Sequence, residues 1–382
     1  MNNTIKLAVA SALLAAASSA SAAGGIVAGD WTLDIGGVVN AYYTSTKASG
    51  TAGGLAAGND TGTATASNIT TGLLPNYLAV SGKTRQNDLD VAFTISINPG
   101  ASRTASGNQG AQQENRQAFL TFGDASWGSI KLGKDLGIYA SDAILNDMTL
   151  LGVGSAAGFL AGNTTTLGRI GTGFIYADWK SQVAYTSPNF NGFSFTAGVT
   201  QAFNDKANET TGRGGKEPAF EGKASYSFAA DAVTGKVWAS GISQNVESQN
   251  QTATAWDLGA NVNAAGFGVT AYYGEGEGLG TTTQFSGGYD ADGNELDSKD
   301  WYAQGTYTLP GVGTKLGVSY GESELQQADG SKSQNEMWVA GAYHPITKHL
   351  NLVAEYAEVK HKATDEDSGK TKTISLGAIL FF

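Results

Sequence analysis

The residues best suited to chemistry are few and mostly far apart. Asp290-Ala-Asp-Gly-Asn-Glu-Leu-Asp297 gathers hard oxygen ligands around a glycine, and Asp290, Asp292 and Asn294 are the positions at which it would hold Ca²⁺. The stretch lacks the full calcium-loop pattern, so a solvated acidic loop tip is the plainer reading. His344 and His349 are two of only three histidines, and a chain with no cysteine and no acidic residue beside them does not compose a zinc site. A Ser/His/Asp hydrolase set stays open, because such sets are recognised by geometry, but no motif raises it. The Gly-rich segments 152–158 and 274–280 do not join a strand to a helix as phosphate loops do. No cofactor is expected.

A different task, the steering of ions, suits the charges of the stretch 135–177. Asp135, Asp142, Asp147 and Arg169 lie there among Ile138, Ile144, Leu145, Leu150, Leu151, Val153, Phe159, Leu160 and Leu167. A solvated connection of this length does not carry so many apolar side chains. Folded inward against a wall, it hides them and presents its charges to a passing solute. Packed over a mouth or at a subunit contact, it hides them equally well. Ser141 before Asp142, Ala143, Ile144 and Leu145 suits a single helical turn with Ser141 as its cap.

The elements that must hold these charges are strands. In 301–309, Trp301, Ala303, Gly305, Tyr307 and Leu309 occupy one parity, and Tyr302, Gln304, Thr306 and Thr308 the other. The same split recurs in 193–200, 256–263 and 267–274. Reading the whole chain this way predicts sixteen strands, at 30–46, 77–83, 89–98, 116–123, 128–134, 178–187, 193–201, 221–229, 234–245, 255–264, 267–274, 300–309, 314–322, 335–344, 350–360 and 371–382. Long polar connections (47–76, 99–115, 202–220, 275–299) alternate with short ones (83–88, 124–128, 188–192, 264–266, 310–313). A soluble sandwich also alternates, but long loops on one side and tight turns on the other belong to a membrane barrel. Trp31, Tyr42, Tyr43, Trp127, Trp179, Tyr185, Trp301, Tyr320 and Tyr343 near strand ends would form its interfacial girdles.

Composition agrees with that architecture. Lys6, an apolar run over 7–17 and Ala20-Ser21-Ala22 predict a signal peptide at 1–22, cut near Ala22, and a barrel domain at 23–382. The formal charge of −11 becomes −12 once Lys6 is removed, which excludes nucleic acid as a partner and, taken alone, predicts a mild cation preference. Without cysteine, an exported chain depends on a continuous hydrogen-bonded framework. No run after 1–22 is long and apolar enough for a spanning helix, so only a closed barrel would cross a membrane. In the last strand Ile374, Leu376, Ala378, Leu380 and Phe382 share the lipid-facing parity. That strand must pair with the first, around 31–43, to remove both edges.

In order and spacing, three motifs resemble the Gram-negative general porins. They are Arg116-Gln-Ala-Phe-Leu-Thr-Phe-Gly123, then Trp127-Gly-Ser-Ile-Lys-Leu-Gly-Lys134 opening the long connection, then Tyr185-Thr-Ser-Pro-Asn-Phe-Asn-Gly-Phe193 leaving it, and a terminal Phe382 completes the likeness. The resemblance implies a homotrimer of sixteen-stranded barrels in the outer membrane, with lipid and lipopolysaccharide as surroundings and a third loop, 135–177, folded into each lumen. It implies passive diffusion of small hydrophilic solutes, and a Phe382 that is read by the barrel assembly machinery. It also implies a basic wall facing an acidic loop, on which pattern Arg116 matches one wall arginine. Gly37, Tyr77 and Asp178 stand where the family usually has basic residues, and the family's Pro-Glu-Phe segment is absent. Arg116 shares parity with Ala118, Leu120 and Phe122, so it reaches the lumen only through a bulge or from above the membrane zone. Lys131 is lumenal by plain alternation. A solute-specific channel is the main rival, with Tyr77, Trp238, Tyr272 and Trp338 as a stacking track; a barrel hydrolase is the second. Divalent cations bridging Asp290 or Asp365, Glu366 and Asp367 to lipopolysaccharide are a further possibility.

Overall fold

The computed structural model describes residues 25–51, 53–56, 59–101, 113–155, 165–202, 217–246, 251–363 and 368–382. The expected signal peptide, Phe159, Leu160 and the acidic stretch 365–367 lie outside them. The strands are β1 (Ile26–Ala28), β2 (Trp31–Gly50), β3 (Asn59–Thr70), β4 (Tyr77–Gln86), β5 (Leu89–Pro99), β6 (Gln113–Glu114), β7 (Ala118–Asp124), β8 (Gly128–Leu136), β9 (Trp179–Thr186) and β10 (Phe193–Thr200). They continue with β11 (Ala219–Ala230), β12 (Val233–Val246), β13 (Gln251–Ala264), β14 (Phe267–Glu277), β15 (Asp297–Thr308), β16 (Lys315–Gln326), β17 (Lys332–Pro345), β18 (Leu350–Lys362) and β19 (Ser368–Phe381).

Sixteen of these form the wall, each antiparallel to its neighbours: β2, β4, β5 and β7 to β19. They correspond one to one with the strands expected from alternation. The ring closes where β19 pairs with β2, from Lys370 opposite Ser49 to Phe381 opposite Val38. Beyond the last ladder pair, Gly37 N–H donates to Phe382 O (2.9 Å) and Phe382 N–H to Gly37 O (3.1 Å). The free edges that lipid would leave unsatisfied are thereby removed.

Parity sorts side chains as the sequence pattern requires. In β19, Ile374, Leu376, Leu380 and the terminal Phe382 are exposed, while Thr373, Ser375, Ile379 and Phe381 are buried. Val237, Leu258, Val269, Trp301, Val318 and Leu352 repeat the outward apolar set on other strands. Tight turns follow from left-handed backbone at Asn87 (φ 48°) and Asp88 (φ 62°), and at Ala265 (φ 50°) and Gly266 (φ 85°), which suits the right-handed twist of a hairpin.

Four details differ from expectation. The connection 47–76 contains β3, which pairs with the upper part of β2 from Tyr42 to Gly50. Its run of Thr, Ser, Ala and Asn gives no apolar alternation to read, because no lipid face is imposed on it. Of the expected girdle residues, Tyr42 and Tyr343 are buried inside and Trp179 turns to the interior cavity, whereas Tyr43, Trp127, Trp301 and Tyr320 are exposed. Ser141 is the first residue of the helical turn α1 (Ser141–Asn146) rather than its cap; Ala140, at φ 61°, occupies that place. The connection 275–299 is not purely an outer polar loop, since Leu279 and Phe285 pack in a buried cluster with Tyr139, Ala140 and Ile175.

Candidate functional site

The segment 137–178 runs between β8 and β9 and is held by wall side chains through its backbone. Glu221 of β11 accepts from Ile138 N–H and Tyr139 N–H (both 2.8 Å). Glu355 of β18 accepts from Val153 N–H (2.7 Å) and Gly154 N–H (3.0 Å), and also from Tyr343 Oη (2.6 Å). Gln304 of β15 accepts from Met148 N–H (2.7 Å), and Ser323 of β16 from Gly173 N–H (2.9 Å). Tyr302 Oη donates to Ala143 O (2.9 Å). All these wall groups have the parity opposite to the exposed apolar side chains. Irregular backbone in a barrel must have its polar groups satisfied, and here these side chains of four wall strands do that.

Two further segments share the interior. Asn40 of β2 donates through Nδ2 to Leu74 O (2.9 Å) and accepts from Gly72 N–H (2.8 Å), while Leu73 N–H donates to Gly152 O (2.9 Å). From the connection after β14, Thr282 O accepts from Tyr176 N–H (3.0 Å), and Gln284 accepts from Lys180 Nζ (2.6 Å). Gly152 lies where an added Cβ would fall 2.0 Å from Glu355 Oε1, so a larger residue there would have to displace the carboxylate that holds Val153 and Gly154.

The space left over is a cavity of about 790 Å³ between these segments and the wall from β4 to β12. Arg116, Lys131, Lys134, Lys223 and Lys236 line it, with Glu114, Asp135 and Asp178. Asp142 of α1 forms ion pairs with both Lys236 and Lys223, the latter at 3.3 Å. Lys131 pairs with Asp135 four residues on along the same face of β8, and Gln117 Nε2 donates to Asp135 (3.1 Å). Burial pushes the Asp142 carboxyl up, but the charges and hydrogen bonds of Lys223 and Lys236 outweigh it and hold it below the usual carboxylate range.

The sequence-predicted residues divide accordingly. Arg116 enters the cavity because the ladder slips by one residue: Ile95 pairs with Ala118 but Asn98 with Glu114, which leaves 115–117 opposite two residues of β5. Its Nε contacts Glu114 Oε2 (2.7 Å) and its guanidinium lies 5.8 Å from the Trp179 ring centre. Lys131, Asp135, Asp178 and Tyr77 also line the cavity.

Asp147 and Arg169, expected as filter charges, do not reach it. Asp147 caps a 3₁₀ turn by accepting from Thr149 N–H (3.1 Å) and is enclosed, and its carboxyl is pushed up by burial, against the opposing charge of Arg169. Arg169 is 0% exposed, donates to Thr172 O and Met337 O (both 3.1 Å) and lies over the Tyr302 ring. An apolar connection must bury some of its own charges to pack, and alternation cannot tell these from charges that face water. The stacking track does not assemble either. Trp238 and Tyr272 are buried against the inner segments, and Trp338 faces outward, 37% exposed. Among its four members, only Tyr77 lines the cavity. At the acidic tip, Asp290 accepts from Asp292 N–H (2.9 Å), Asn294 N–H (2.8 Å) and Asn294 Nδ2 (2.9 Å), so its oxygens close their own turn. Among the described residues no cluster of three metal-ligating side chains occurs.

Lys223 and Lys236 were missed by sequence reasoning, yet the signal existed. Each occupies the inward parity of its strand, between outward-facing Gly222 and Ala224 or Gly235 and Val237, just as Lys131 does. A Gram-negative porin family profile matches residues 8–364. The chain belongs to this family.

Solved structures agree on the fold. The anion-selective porin from Comamonas acidovorans superposes with a TM-score of 0.63 at 16% identity, over 92% of this chain and 100% of that one. The outer membrane channel DcaP of Acinetobacter baumannii gives 0.68 at 15%, over 94% and 100%. Salmonella typhi OmpF, in complex with daunomycin, gives 0.54 at 16%, over 91% and 98%. No curated protein sequence matches the chain. As a porin, the protein is an outer-membrane β-barrel channel.

Proposed function

We propose that this porin carries small hydrophilic solutes and ions by passive diffusion, through a lumen narrowed by the inward segment 137–178. The cavity of about 790 Å³ beside that segment supports the reading, because it lies on the inner face of a closed wall and is lined by charged and polar groups. Five cationic groups line or adjoin it (Arg116, Lys131, Lys134, Lys223, Lys236) against four carboxylates (Glu114, Asp135, Asp142, Asp178), an excess of one positive charge. The preference is therefore weakly anionic, opposite to what the net charge of the chain suggests. Many of the acids lie in outer loops or face inner backbone, where they do not act on the passage.

The assembly proposed is a homotrimer in outer-membrane lipid and lipopolysaccharide, delivered by a signal peptide at 1–22 and inserted through recognition of Phe382. One related solved structure is described as a trimer form of OmpT of Vibrio cholerae. The proposed activity involves no catalysis and no cofactor. Purified protein in planar bilayers should give stepwise ohmic conductance and, in a KCl gradient, a small reversal potential of the anionic sign. Absence of conductance steps would refute the channel; a clear cationic sign would refute the charge reading. Turnover of lipid or peptide by the purified barrel would refute the absence of catalysis.

A further inference from the structure

The cavity is two-sided, and its sides come from different parts of the chain. The inner segments supply Leu73, Leu74, Ile144, Leu145, Leu150 and Leu167, whereas the wall supplies the lysines and Arg116. Leu145, Leu150 and Leu167 are only partly buried, so they present apolar surface to the water-filled space. A passage serving inorganic ions alone gains nothing from such a strip, and exposed apolar surface of this kind marks a place where an apolar group binds. Leu145 sits in α1, three residues beyond Asp142, so the apolar strip begins one turn from the Lys223 and Lys236 pair. Lys131 and Lys134 add positive charge on the wall side.

We infer that this cavity is a binding subsite for amphipathic organic anions, monocarboxylates bearing a short alkyl chain or one aromatic ring. The carboxylate meets the lysines and the apolar body lies on the leucines. The inference rests on the channel reading above and narrows its solute class. Nothing covalent is involved; the anion enters, lodges and leaves down its gradient.

The test uses the full-length porin in planar bilayers, with hexanoate, acetate and hexylammonium as probes of the KCl current, and protein-free bilayers as the control. Hexanoate should reduce the current saturably. Burial of two of its extra methylenes puts its half-blocking concentration about tenfold below that of acetate. Hexylammonium, with the same apolar body and the wrong charge, should block no better than acetate. Leu145→Gln with Leu167→Gln should abolish the difference between hexanoate and acetate, while Lys131→Gln should weaken block by both. If the leucine variant does not assemble, the wild-type chain-length and charge series still decides. Equal block by hexanoate and acetate, or stronger block by hexylammonium, in channels of normal KCl conductance would overturn the inference and leave the porin reading standing. No KCl conductance at all would overturn both.

Discussion

Replacing Asp142 by asparagine isolates the charge that the inward segment contributes to the passage. The substitution preserves size and leaves an acceptor for Lys223 and Lys236, but it removes the carboxylate to which both are paired. The cationic excess around the cavity rises from one to two. A unit charge about 6 Å from a permeating ion contributes about 0.7 kcal/mol in water, which changes the local concentration of anion and cation by roughly threefold each, in opposite directions, and their ratio by roughly tenfold. The chloride-to-potassium permeability ratio, from reversal potentials in dilute KCl gradients, should therefore rise by up to about tenfold. The gain should shrink in molar salt, where screening acts within about 3 Å. Adding Lys236→Met to Asp142→Asn restores the charge balance and should return the ratio toward wild type. An unchanged ratio, or a shift toward potassium with conductance intact, would refute the reading that Asp142 offsets the charge of the two lining lysines it pairs with.

Further outcomes follow from the same contacts. Gly37→Val places a Cβ 2.2 Å from Tyr77 O and 2.7 Å from the Phe382 ring. Backbone cannot yield there, so the folded, heat-modifiable form on gels should be lost. Deletion of Phe382 removes the last two hydrogen bonds of the closing seam and should cut insertion into the outer membrane far more than it alters conductance of the pores that form. Glu355→Ala leaves Val153 N–H, Gly154 N–H and Tyr343 Oη without their shared acceptor, at a cost of roughly 2–4 kcal/mol, to be read from urea unfolding together with noisier single-channel current. For pH, the depressed Asp142 carboxyl contributes stability that is complete above the ordinary carboxylate pKa and is lost as pH falls through its lower folded value. The part of the ion preference that Asp142 sets should thus stay flat through the usual carboxylate range and turn more anionic only below it, and this lower step should be missing in Asp142→Asn. A rise beginning near neutrality would contradict this.

The wall was legible because lipid outside and water inside impose a period of two on every spanning strand, and the sixteen segments of alternating parity are the sixteen wall strands. Closure was legible from the same parity at Ile374 to Phe382. Strand β3 escaped because it spans no apolar layer. The inward segment announced itself by leucines and isoleucines in a connection, but not by which of its charges would pair with lysines of the cavity. Asp142 and Asp147 lie five residues apart with similar neighbours, yet one reaches two lysines from other strands and the other turns into a cap beneath Arg169. That difference is set by pairings across the barrel, 81 and 94 residues along the chain, which no local pattern carries. Lys223 and Lys236 were open to the argument that found Lys131; what could not be foreseen was the partner they share.

Why the net charge and the preference proposed for this passage differ in sign follows from how the segment is held. A chain that leaves the wall and crosses the interior needs acceptors for its N–H groups, and carboxylates are strong ones. Glu221 and Glu355 are spent in this way, each on two adjacent N–H groups at the two ends of the segment 138–154. Glu221 carries its own counter-charge, Lys180, also buried, so that pair is neutral toward the passage. Acidic residues that fasten backbone in this manner face protein, so they do not count among the charges that line the cavity. The overall acidity of the chain and the anion preference proposed for its passage are then consistent, since the first counts every carboxylate and the second only those in or beside the cavity. Glu221→Gln provides the check: it keeps an acceptor for both N–H groups but leaves buried Lys180 without its counter-charge, so stability should fall while the permeability ratio moves far less than with Asp142→Asn. Equal shifts in the two variants would show that a carboxylate paired with cavity-lining lysines and one paired with an enclosed lysine act alike, and this account of the passage would fail.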